Sequence, residues 1–144
     1  MTETPTGAAV TEHVSHEAVE YVVGDRDPRG DIFSVERPWG EFKQFVSNET
    51  VTVKVITVAP GHRLSLQSHG QRGEMWQVLD GPIFVEVDDH AWAAQPGETV
   101  WVPRGAMHRM SNPGSASGRI LEVAFGYFDE GDITRVQDDY HRHE

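Results

Sequence analysis

The chain has no cysteine, only two lysines (Lys43 and Lys54) and an excess of acids that sets its formal charge at −11. No cysteine means no disulfide, no thiolate metal site and no thiol nucleophile. There is also no run of about eighteen apolar residues that would suggest a membrane-spanning helix. Residues 1–10 show neither a basic stretch nor an apolar segment. A secretory leader is therefore not expected, and a cytoplasmic protein fits. So negative a chain is a poor general partner for nucleic acid or an anionic membrane. The charge is concentrated at the ends: residues 1–30 hold six acids against two arginines, and residues 129–144 hold the same numbers.

What is present is a chain of 144 residues, the length of one domain with a real core. Residues 1–30 are small, polar and acidic, and are expected to form a flexible arm with a short helix around His16–Val23. From Asp31 the texture changes to short β-type runs: Glu41–Ser47, Val51–Val58, Arg63–His69, Glu74–Asp80, Ile83–Val87, Thr99–Val102, Met107–Ser111 and Ile120–Phe128. Turn dipeptides separate them, among them Pro60-Gly61, Asp80-Gly81, Pro96-Gly97, Arg104-Gly105 and Asn112-Pro113. About eight strands at this spacing predict an all-β sandwich or barrel with no room for βαβ units. The expected organisation is an arm at 1–30, a barrel at 31–130 and a short extension at 131–144.

Two stretches carry the chemistry. Gly61 precedes Gln67-x-His69 and Glu74, with Gly81 beyond; then Gly97, Pro103, Gly105, His108 and Asn112 follow as G-x5-P-x-G-x2-H-x3-N. Gln67, His69, Glu74 and His108 together form an oxygen and nitrogen donor set for one divalent metal. With no sulfur, the set suits Zn²⁺, taken first, but also Mn²⁺, Fe²⁺, Co²⁺ or Ni²⁺. Alternation along Arg63–His69 would put Arg63, Ser65, Gln67 and His69 on one face, with Leu64 and Leu66 on the other. The same phase aligns Glu74, Trp76 and Val78, and Glu122 with Ala124 and Gly126. Lys54, between two valines, is either a surface residue or a pocket cation. Trp39, Trp76, Trp92, Trp101, Phe84 and Phe125 read as packing residues.

This frame resembles the two cupin motifs, with Gln67 where the first motif usually begins with histidine. Within the cupins it is most similar to the mannose-6-phosphate isomerase cupin of the type II enzymes. The resemblance rests on Arg37-Pro38-Trp39-Gly40, Lys54, Arg63-Leu64-Ser65-Leu66-Gln67-x-His69 and Arg72-x-Glu74-x-Trp76. It continues through Pro103-x-Gly105-x-x-His108-Arg109, Asn112-Pro113, Glu122-Val123 and Asp132-Ile133-x-Arg135-x-x-Asp138-Asp139-Tyr140. It covers about residues 36–142 and implies a single-domain cupin, a double-stranded β-helix or jelly-roll barrel. It also implies a metal-dependent aldose–ketose isomerase of sugar phosphates, acting between mannose 6-phosphate and fructose 6-phosphate through a cis-enediol, and a homodimer. Gly70, Gln71 and Met75 stand where the family usually has histidines, which strips polar groups from around the ligands.

A sugar phosphate needs cations, because arginine forks match phosphate geometry. Arg63, Arg72 and Arg109, with Ser65, are the candidate substrate-binding residues. Glu122 and Lys54 are candidates for proton transfer, and the resemblance implies a catalytic or phosphate-binding role for Arg135. Two rivals remain. One is a different cupin enzyme, such as a dioxygenase, lyase or epimerase; the other is a non-catalytic sugar-binding cupin.

Overall fold

The computed structural model describes residues 26–142. The expected arm helix at 16–23 falls outside them. A 3-10 turn at Pro28–Asp31 opens the described chain, started by the Asp27 side chain accepting from the Arg29 amide. Eleven strands follow: β1 Phe33–Arg37, β2 Gly40–Gln44, β3 Val51–Val58, β4 Leu66–Ser68, β5 Arg72–Asp80, β6 Ile83–Val87, β7 His90–Ala94, β8 Thr99–Val102, β9 His108–Ser111, β10 Gly118–Gly126 and β11 Thr134–Gln137. The all-β expectation is met, and β3, β6 and β8 have the predicted bounds. Among the described residues, no helix is long and apolar enough to cross a membrane.

β1 and β2 form a hairpin of their own. The other strands make a four-stranded sheet in the order β3-β10-β5-β8 and a five-stranded sheet in the order β11-β4-β9-β6-β7. Periodicity did not mark β1, β7 or β11. β7 contains three alanines and β11 alternates polar residues, so neither has the β-branched run that signals a strand. β11 lies in the segment expected as an extension, where it pairs with β4 at the edge of the larger sheet.

Residues opposite each other in an antiparallel pair point to the same face, so the register sorts the interior into rows. Ile56, Ile120 and Val78 form one row, and Met110, Val85 and Trp92 another. These rows contribute to an apolar core that also holds Val58, Ile83, Val100 and Val102. The rows nearer the start of β5 are polar. Thr52, Ala124, Glu74 and Val102 form one, Lys54, Glu122, Trp76 and Val100 the next. Across the barrel, Arg135, Gln67, His108 and Val87 form a third. The interior therefore has an apolar half and a polar half. Met75, Trp101, Val123 and Phe125 project from the other face of the four-stranded sheet into a second cluster, covered by Ile32, Phe45, Val46 and Val51.

Candidate metal centre

His69, Glu74 and His108 meet in the polar half, all buried, with their ligating atoms within 4.8 Å of one another. Each arrives by a different route. Glu74 lies on β5 and His108 opens β9. His69 follows β4 and is tied down from two sides. Gly105, whose φ of +86° favours glycine, donates its amide to the His69 carbonyl at 2.9 Å. Asp132 holds the imidazole: its backbone carbonyl takes the Nδ1 proton at 2.7 Å.

A carbonyl only accepts, so Nδ1 carries the hydrogen and the Nε2 lone pair faces the cluster. His108 is fixed the same way, its Nδ1 donating to the Ala106 carbonyl at 2.9 Å. Its Nε2 is buried with no hydrogen-bond partner and lies 3.6 Å from Glu74 Oε1. Two imidazoles whose Nε2 atoms converge beside a carboxylate suit a divalent cation, and backbone partners on the far nitrogens are the usual device for orienting such ligands.

Burial lowers the His69 pKa, against the pull of Glu74. For Glu74, burial works to raise the pKa, but His108, His69 and Arg72 outweigh it and keep the carboxylate ionised. Trp76 Nε1 donates to Glu74 Oε1 at 3.0 Å, and its ring meets His108 edge-on. The Arg72 guanidinium donates through Nε to Glu74 Oε2 at 3.1 Å and through Nη2 to the His69 Nε2 lone pair at 3.2 Å. Gln67 sits directly opposite His108, and its amide oxygen accepts from the buried Ser65 hydroxyl at 2.6 Å.

Glu122 adds a second carboxyl. Burial, then the charge of Glu74 and a hydrogen bond to it, push its pKa to about 8, against the pull of Lys54 and Arg72. It therefore holds a proton at neutral pH and donates it to Glu74. Lys54 stands opposite Glu122 across β3 and β10. Arg135 stands opposite Gln67. Of the candidates, Ser65, Gln67, His69, Arg72, Glu74, His108, Glu122, Lys54 and Arg135 gather at this polar end.

Arg63 and Arg109 do not. Four steps separate Arg63 from Gln67, but only three separate their partners Ser111 and His108. The extra residue is a bulge that reverses the alternation, so the shared face expected for Arg63 and Gln67 does not form. Arg63 lies at the surface, where its guanidinium binds Asp139 through two bonds of 2.8 and 3.0 Å. Arg109 follows His108 on β9 and faces the other way, against Glu86. Asn112 is structural: its Nδ2 donates to the carbonyls of Val58 and Ala116 at 2.8 Å each, and its Oδ1 accepts from Gly114 N.

The sequence assigns Asp132 no role of its own beyond its place in the C-terminal segment. Besides holding His69, its carboxylate accepts the amides of Gly70 and Gln71 at 2.8 Å each. No spacing signal marks this bond, because its two sides lie about sixty residues apart and neither is in a regular strand pair.

The sequence model of the family described as "Mannose-6-phosphate isomerase C-terminal" matches residues 25–138. The chain is similar to the alginate biosynthesis protein AlgA of Pseudomonas aeruginosa, 38% identical over 130 residues, which are 86% of this chain and 27% of that protein. It is also similar to the mannose-1-phosphate guanylyltransferase of Escherichia coli, 38% identical over 109 residues, 75% of this chain and 23% of that protein. The chain thus spans about a quarter of the length of these relatives. Among solved structures it resembles a Klebsiella pneumoniae protein with a double-stranded β-helix domain. That match has a TM-score of 0.55 and 15% identity, over 65% of this chain and 80% of the other. An oxalate oxidase in complex with glycolate matches with a TM-score of 0.53 and 26% identity, over 60% of this chain and 46% of the other. The fold is that of the cupins.

Proposed function

The chain belongs to the mannose-6-phosphate isomerase C-terminal family, and from that premise we propose that it is a divalent-metal-dependent aldose–ketose isomerase of sugar phosphates, with mannose 6-phosphate and fructose 6-phosphate as its pair. The observation that carries the reading is the buried convergence of His69, Glu74 and His108, with the buried carboxyl of Glu122 in the next row of the same inner face.

His69, Glu74 and His108 would hold the metal, with Gln67 next to them, and Zn²⁺ is our first choice. When bound, such an ion polarises sugar oxygens and stabilises negative charge on them. Arg72 Nη2, now 3.2 Å from His69 Nε2, would have to release that atom to the metal, and its bond to the Asp129 carbonyl does not depend on the imidazole.

Isomerisation moves a proton between neighbouring carbons by way of an enediol, while a second proton passes between the two oxygens. Glu122 is suited to this exchange, since a carboxyl that titrates near neutrality both gives and takes a proton. Lys54 and Arg135 stand on the same inner rows and supply positive charge for the sugar phosphate. Trp76 closes the floor of the site and keeps water from the apolar half behind it.

The test is solvent exchange. In heavy water the protein, supplied in turn with Zn²⁺, Mn²⁺, Fe²⁺, Co²⁺ and Ni²⁺, should introduce deuterium at C1 or C2 of the two sugar phosphates. No incorporation with any metal rules the reading out. Oxygen uptake with Fe²⁺ would instead favour the dioxygenase rival.

A further inference from the structure

Lys54 does more in the structure than face Glu122. Its ammonium lies 2.6 Å from Glu130 Oε1 and 4.3 Å from the centre of the Phe128 ring. The Arg72 guanidinium lies 4.2 Å from the centre of the same ring. One aromatic side chain thus holds two cations at the edge of the metal centre, as the quadrupole of a ring allows. Arg72 is buried and ties the pair to the triad; the Lys54 side chain is 39% exposed and reaches solvent.

Glu130 is the odd member. Its side chain is 76% exposed and sits on a turn in which the Asp129 side chain accepts the Gly131 amide. It is not held by the core, yet its carboxylate lies in the field of Lys54, Arg72 and His69, which together hold its pKa below the ordinary range. A carboxylate and a phosphate present the same kind of oxygen acceptor to a cation.

We propose that Lys54, with Arg72 against the same Phe128 ring, is the seat for the anionic end of a phosphate monoester, and that the Glu130 carboxylate fills this seat until the ligand displaces it. The inference rests on the sugar-phosphate reading for the rest of the ligand only. Exposed ion pairs are weak enough to exchange, so Glu130 acts as an internal competitor and lowers the affinity for every anion that must displace it.

Calorimetric titration of the full chain with inorganic phosphate tests this. Glu130→Gln should bind phosphate about fivefold more tightly than the unaltered protein, the size of effect an exposed pair can exert. Lys54→Gln should bind more weakly, and adding Glu130→Gln to it should give no gain. Asp80→Asn removes an equal charge from another exposed pair, with Arg119 at the far end of β5, and should change nothing. The proposal is overturned if Glu130→Gln fails to tighten binding, if the gain survives without Lys54, or if Asp80→Asn gives the same gain. A Lys54-dependent gain in a protein that shows no deuterium exchange keeps the seat and removes the isomerase. Exchange without the gain does the reverse.

Discussion

His69 Nδ1 donates to the backbone carbonyl of Asp132, 2.7 Å away, while the Asp132 carboxylate takes the amides of the two residues after His69. One residue from the C-terminal segment therefore sets both the ring orientation of His69 and the path of the loop that carries it.

Asp132→Ala should accordingly weaken divalent metal binding by roughly 10–100-fold, the usual consequence of removing a group that orients a ligand. Asp132→Asn, which keeps one acceptor oxygen, should fall between. Competition titration with a chromogenic chelator reads this directly. Unchanged affinity in Asp132→Ala would mean that the backbone carbonyl alone suffices.

Removing either imidazole should be more severe. His69→Ala and His108→Ala should each lose bound metal on gel filtration, as measured by elemental analysis of the protein peak. Full occupancy in both variants would sink the ligand assignment.

Glu122 gives stability a pH dependence with a definite sign. Its folded pKa of about 8 lies above the ordinary 4.5, chiefly through burial. Between these values the folded chain holds a proton that the unfolded chain has released, so stability falls as pH rises through that window. In chelator-treated protein, Glu122→Gln should flatten the fall and raise the melting temperature by several degrees at pH 9. A profile as steep as that of the unaltered protein would show that Glu122 is not the group responsible.

Asn112 belongs to the same sequence motif as His108 but should behave differently. Asn112→Ala leaves the carbonyl of buried Val58 without its donor and removes the bond to the exposed Ala116, which costs about 1–3 kcal/mol at typical values for one such buried group. Denaturant unfolding should show this loss while metal affinity stays unchanged. A matching drop in affinity would make Asn112 part of the site.

His69, Glu74 and His108 were legible in sequence because Glu74 and His108 lie on strands and His69 just past one, all between glycine and proline corners. The inward phase of Glu74 with Trp76, and of Glu122 with Ala124, followed from period two and holds in the register. The error came where period two fails, between Arg63 and Gln67, since a bulge leaves no mark in a run such as Arg-Leu-Ser-Leu-Gln. Arg109 had a different cause: it adjoins a ligand in sequence, and neighbours on a strand face opposite ways. The contributions of Asp132 and Glu130 depend on contacts between segments far apart in the chain. Local pattern carries no information about those.

The bulge before Gln67 makes one strand serve two masters. Arg63 at its start clasps Asp139 outside, while Ser65 and Gln67 further along face the metal centre. A single-codon deletion between Arg63 and Gln67 would force a choice between clasp and site, whereas the same deletion in the exposed Ser115–Ser117 loop would leave both in place. The constraint on length here thus falls on three residues, Leu64, Ser65 and Leu66, none of which is a histidine or an acid.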